Sequence, residues 1–173
     1  MSESILRAKN LGIAFGGLKA VNNFDIDIRE GELVGLIGPN GAGKTTVFNL
    51  LTGVYKPTEG TFYLRDQLMN GKKTHDIVAA GIARTFQNIR LFKSMTVFDN
   101  VLLAKHMHLK AGFFRTALHL NGAEERRMRE DTQALLEIVG LADVKDEVAT
   151  SLPYGKQRRL EIARALATNP TTL

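Results

Sequence analysis

Residues 38–46 read Gly-Pro-Asn-Gly-Ala-Gly-Lys-Thr-Thr, and these types at this spacing suit one kind of chemistry. The glycines let a loop wrap tightly enough for several backbone N–H groups to aim at a single anion. Lys44 adds a compact cation, and the Thr45 hydroxyl is a ligand for a hard divalent cation. Gly38, Pro39, Asn40, Gly41, Ala42, Gly43, Lys44, Thr45 and Thr46 are therefore the expected cradle of a nucleoside triphosphate such as ATP, with Thr45 toward Mg²⁺.

Such a loop works only if it is held between a strand and a helix. The apolar run Leu33-Val34-Gly35-Leu36-Ile37 reads as a buried strand leading in. Val47-Phe48-Asn49-Leu50-Leu51 reads as a helix whose N-terminus faces the phosphates. Upstream, Phe24-Asp25-Ile26-Asp27-Ile28 alternates apolar and acidic residues, which predicts a strand with one buried face and one wet face. A further strand is expected over 60–64, a short helix from Thr74 to Ala80 closed by Gly81, and a strand over 82–86. Thr96-Val97-Phe98-Asp99 resembles a capping box opening a helix toward His106. Two more helices are expected, over 123–139 and after Gly155, the latter with Leu160, Ala163 and Leu166 or Ala167 on one side.

Composition sets the limits. A chain of 173 residues with 44% hydrophobic content can bury a core of about one domain with an inserted subdomain. No apolar run approaches a membrane span, and no signal peptide precedes Leu6. The absence of cysteine excludes disulfides and thiolate chemistry. The net charge of +5 is scattered rather than gathered in a block, so nucleic acid is not an expected partner. His106 and His108 make a His-x-His pair, but no carboxylate or thiolate stands at ligand spacing, and a metal reading is not favoured.

The rest of the chain narrows the class. No aspartate begins D-x-x-G and no Asn-Lys-x-Asp occurs, which argues against a GTPase. Four features in order resemble the ATP-binding subunits of ABC transporters: Phe15-Gly16-Gly17, the phosphate loop, Arg84-Thr85-Phe86-Gln87, and Leu152-Pro153-Tyr154-Gly155-Lys156-Gln157-Arg158-Arg159 with its helix. The wording at Gly-Gly-Leu-Lys-Ala-Val, at 84–92 and at Leu-Pro-Tyr-Gly is most similar to the LivG-type ATPases of branched-chain amino acid importers. Importers of urea or amides and a lipopolysaccharide-export ATPase have related text. A soluble ABC ATPase acting on ribosomes or nucleic acid is the alternative from another class.

The resemblance implies an α/β fold: a phosphate-loop NTPase core, an N-terminal antiparallel β part and a helical subdomain. It divides the chain into 1–88, 89–157 and 158–173. It implies that Phe15 stacks on adenine, and that Gln87 ligates Mg²⁺ and positions the attacking water. Tyr154, Gly155 and Lys156 would contact the ATP of a second ATPase subunit across a dimer. Pro153, Tyr154 and Lys156 depart from the usual Leu-Ser-Gly-Gly-Gln, so the serine hydroxyl is gone while Gly155 and the helix start remain. Lys156 could supply a charge-assisted contact in its stead. The family pattern continues with a strand ending in Asp-Glu, which is not found here. The expectation is a C-terminally truncated ATPase, inactive alone. Membrane permease subunits, indirectly a substrate-binding protein, and a peripheral place on the cytoplasmic face of the inner membrane are the implied setting.

Overall fold

The computed structural model describes residues 3–86, 89–106 and 122–173, and these fall into two compact units. The first comprises Met1–Ile82 with Thr172, the second Ala83–Thr171 with Leu173. These are packing units that meet after Ile82. The functional division drawn at 88 follows Gln87 and is a boundary of another kind.

The first unit is built on a hairpin. Strands β1 (Ser4–Phe15) and β2 (Leu18–Arg29) pair antiparallel with Phe15 opposite Leu18. Only Gly16 and Gly17 intervene, at φ 51° and 89°, and a two-residue turn with both φ positive matches the twist of its strands. Strands β3 (Glu59–Leu64) and β4 (Gln67–Leu68) complete a four-stranded antiparallel sheet in the order β2-β1-β3-β4. Helices α1 (Lys44–Leu51) and α2 (Thr74–Ala80) belong to the same unit. Leu6, Ala8, Leu11 and Ile13 of β1 share one core with Val47 and Leu50 of α1, Phe62 of β3 and Ile77 of α2. Leu11 and Leu50 are wholly buried, each such side chain contributing about 1.5–3 kcal/mol by leaving water.

The second unit is helical. Helix α3 (Val97–His106) buries Val97, Asn100, Val101 and Ala104, a stripe at three- and four-residue spacing. Thr96 Oγ1 accepts the Asp99 N–H at 3.0 Å, one half of the expected capping box. Helix α4 (Gly122–Ile138) buries Met128, Thr132 and Leu136, and α5 (Tyr154–Ala167) packs Leu160, Ala163 and Ala167 inward. It is Ala167 rather than Leu166 that faces the core, since Leu166 stays partly exposed.

Two expected strands do not form. Residues 33–37 pair with no strand among the described residues, and Leu33 and Ile37 are almost fully exposed. A strand buried on both faces needs a neighbour on each side. No described strand pairs with the run, and of its five residues only Leu36 leans on the first core. Over 82–86, Ile82 alone forms a bridge, parallel to Thr172, and 83–86 are irregular.

Candidate functional site

The loop before α1 has the backbone its glycines foretell. Gly41 and Gly43 hold φ of 85° and 80°, and Gly43 is the residue from which α1 starts. A Cβ on Gly43 would stand 2.6 Å from the Ala20 carbonyl oxygen, so the position is closed to other residues by conformation and by space alike. Lys44 turns back over the loop, its Nζ donating to the carbonyls of Gly38 at 2.5 Å and Pro39 at 2.6 Å. Thr45, on the first turn of α1, is exposed. A cleft of about 470 Å³ borders the loop, lined by Val21, Phe24, Leu36, Ile37, Ala42 and Lys44 among others.

Phe15 closes β1 directly before the glycine turn and remains 45% exposed, too open for a core residue. Its ring meets that of Tyr55 edge to face, with centroids 5.2 Å apart and planes at 73°. Tyr55 escapes a reading of the sequence because it lies on the turn after α1, forty positions from Phe15, and only the fold brings the rings together.

In the second unit, Leu152 is buried, Pro153 precedes α5, and the first turn exposes Tyr154 and Gly155. Among the described residues the N–H groups of Tyr154 and Gly155 make no hydrogen bond, whereas those of Lys156 and Gln157 reach the Pro153 carbonyl at 2.9 and 3.0 Å. No described atom lies within 4 Å of where a Gly155 Cβ would sit. Lys156 Nζ is 3.1 Å from Asp143 Oδ2, and that bond is the main cause holding the Asp143 carboxyl below its ordinary range.

A model of the ABC transporter family matches residues 21–173, all of the chain but β1, the turn after it and the first residues of β2. The chain belongs to that family. Over its whole length this ATP-binding cassette is 47% identical to the high-affinity branched-chain amino acid transport ATP-binding protein LivG of Salmonella typhimurium, of which it covers 69%. It is 46% identical to the high-affinity branched-chain amino acid transport ATP-binding protein BraF of Pseudomonas aeruginosa, again covering 69%. Among solved structures, the ADP conformation of an ATP-binding cassette superposes with a TM-score of 0.81 at 33% identity, over 98% of this chain and 66% of that one. The expected fold class is thereby met: a nucleotide-binding ABC ATPase fold, spanning about two thirds of its relatives' length.

Gln87 lies outside the described residues, as do His108, His119 and the apolar and basic positions Lys110, Phe113, Phe114, Arg115 and Leu118. Phe86 and the chain from Ile89 to His106 are described, and they carry contacts that sequence reasoning missed. The Phe86 N–H donates to Glu161 Oε1 at 3.0 Å, and Arg158 Nη1 donates to the Phe86 carbonyl at 2.5 Å and to Glu161 Oε2 at 2.8 Å. Glu161 is 5% exposed, a buried carboxylate whose oxygens are both engaged. Asn100, wholly buried, accepts the Phe92 N–H at 2.9 Å and donates to the carbonyls of Phe92, Met95 and Thr96. Among the described residues, no group of three or more His, Cys, Asp or Glu could hold a metal, and no helix is long and apolar enough to cross a membrane.

Proposed function

We propose that this cassette belongs to the ATP-hydrolysing subunit of an importer of branched-chain amino acids. What supports the reading is 47% identity, over an alignment that covers the whole chain, to a branched-chain amino acid transport ATP-binding protein. ATP binding would draw two such subunits together, and hydrolysis would release them.

In this reading the loop over 38–46 receives the triphosphate on its N–H groups and on the start of α1. Lys44 exchanges its bonds to Gly38 and Pro39 for phosphate oxygens, a charge-assisted pairing stronger than the one it leaves. The site fits Mg²⁺. The exposed Thr45 hydroxyl adjoins Lys44, and Mg²⁺ takes one or two protein oxygens and completes its shell with phosphates and water. Gln87 would be a second protein ligand and would orient the water. Phe15, braced by Tyr55, offers its free face to adenine, where stacking contributes about 1–3 kcal/mol without reading the base by hydrogen bonds. The open first turn of α5, at Tyr154 and Gly155, would meet the nucleotide of a second subunit. Lys156 would join them only by leaving Asp143.

The full subunit would sit on the cytoplasmic face of the inner membrane, docked to permease subunits through the region 92–119 and served indirectly by a binding protein. The 173 residues alone would turn over little ATP.

Uptake of radiolabelled leucine tests the function. Full-length protein is expressed with its permease and binding protein in cells lacking their own branched-chain importer. ATP-dependent leucine uptake that is lost with Lys44→Ala is the expected result. Protein that stays off the membrane, or that supports uptake of urea but never of leucine, overturns it.

A further inference from the structure

The segment around Gln87 is tied at both of its described ends to the same helix. On the near side, the Phe86 backbone is gripped by two residues of α5: its N–H by Glu161 and its carbonyl by Arg158. On the far side, Arg164 of α5 donates to the Arg90 carbonyl, and its guanidinium lies 4.7 Å over the Phe92 ring. Glu161, Arg158 and Arg164 stand at three-residue spacing, so they line one stripe of the helix that begins at the Tyr154–Gly155 turn.

The chemistry is unusual for a helix packed against its neighbours. A buried carboxylate is costly unless both oxygens are satisfied, and here they serve one backbone N–H and one guanidinium. Leucine would fill the space without that cost. A buried charge spent on a single peptide unit fixes where that unit lies, because moving the unit away would leave a desolvated charge without its partner. Arg158 is held in turn by the Tyr154 hydroxyl, 3.1 Å from its Nε. The clasp therefore runs from Phe86 through Glu161 and Arg158 to Tyr154, on the first turn of α5.

We infer that Glu161, with Arg158 and Arg164, is a positioning residue for Gln87, coupling the segment that bears this glutamine to the first turn of α5. The inference rests on the reading of Gln87 given above. A shift of the Phe86 backbone is passed to the Tyr154–Gly155 turn through this clasp, and a shift of the turn returns the same way.

The test uses full-length protein with Glu161→Gln, which keeps the volume and one acceptor, and Glu161→Ala, which keeps neither. Turnover is measured per bound nucleotide, so that loss of folded protein does not count, beside ATP affinity and hydrogen exchange at the Phe86 amide. Glu161→Ala should lower turnover at least tenfold with ATP affinity changed less than twofold, Glu161→Gln should fall between, and the Phe86 amide should exchange at least tenfold faster in Glu161→Ala. If Glu161→Ala does not fold, Glu161→Gln carries the same comparison with a loss of at least threefold expected. Wild-type turnover in the Glu161 variants beside a slow Gln87→Ala overturns the clasp. Wild-type turnover in Gln87→Ala itself fails the reading of Gln87, and the clasp then stands or falls on the Phe86 exchange.

Discussion

Lys44 holds the Gly38 carbonyl at 2.5 Å, so the cation of the phosphate loop is satisfied by the loop itself. A ligand must offer more than two carbonyl dipoles to draw it away, and a triphosphate does. Lys44→Ala is expected to lower ATP affinity by at least a hundredfold in calorimetry, with the fold retained. Affinity within threefold of wild type would remove the loop from the nucleotide site.

The ring of Phe15 separates base from phosphates. Phe15→Ala should weaken ATP by about 1–3 kcal/mol, the range for a stacked base, and leave inorganic triphosphate unchanged. Tyr55→Ala removes the edge-to-face partner, and such pairs contribute about 0.5–1.5 kcal/mol, so its effect on ATP should be smaller and in the same direction. Equal losses for ATP and triphosphate would place Phe15 in the packing of the first unit instead.

Asn100 tests the second unit. Asn100→Leu leaves the buried Phe92 N–H and several carbonyls without their partner, at about 1–3 kcal/mol for each group left wanting. Chemical denaturation should show a loss of about 2–4 kcal/mol, since waters recover part of it. A change below 0.5 kcal/mol, on the scale of a surface substitution, would mean the loop over 92–96 keeps its shape without this side chain.

Acid should release Lys156. Its bond lowers the Asp143 carboxyl in the folded chain, so the pair adds stability above the unfolded carboxylate value and loses it as pH falls through the folded one. Both groups are partly or largely exposed, and the contribution is small. The melting-temperature difference between wild type and Asp143→Asn should be present at neutral pH and vanish in strong acid, once the folded carboxyl is itself protonated. A difference that grows on acidification would contradict the pair.

Local chemistry was legible in the sequence, and distant pairing was not. The loop ending at Lys44, the α2 helix between Thr74 and Gly81, and the helix expected after Gly155, which begins at Tyr154, are each written in adjacent residues. Turn, cap and breaker rules act on neighbours, so those elements could be read directly. The run over 33–37 is apolar enough for a buried strand, yet burial depends on flanking strands that no local pattern announces. The Phe15–Tyr55 contact and the Glu161–Phe86 contact failed to register for the same reason, one spanning 40 positions and the other 75. Glu161 looked like one more charge on a helix. Only its burial marks it out.

Gly155 is crowded by no described atom and sits in the first turn of an ordinary helix, where alanine is the better helix former by about 0.5–1 kcal/mol. Its own fold therefore has no use for the missing methyl. A cell carrying Gly155→Ala would make as much of the protein as before, and degradation machinery would see nothing amiss. Nothing among the described residues asks for glycine there, and the position is invisible to any screen that scores abundance alone.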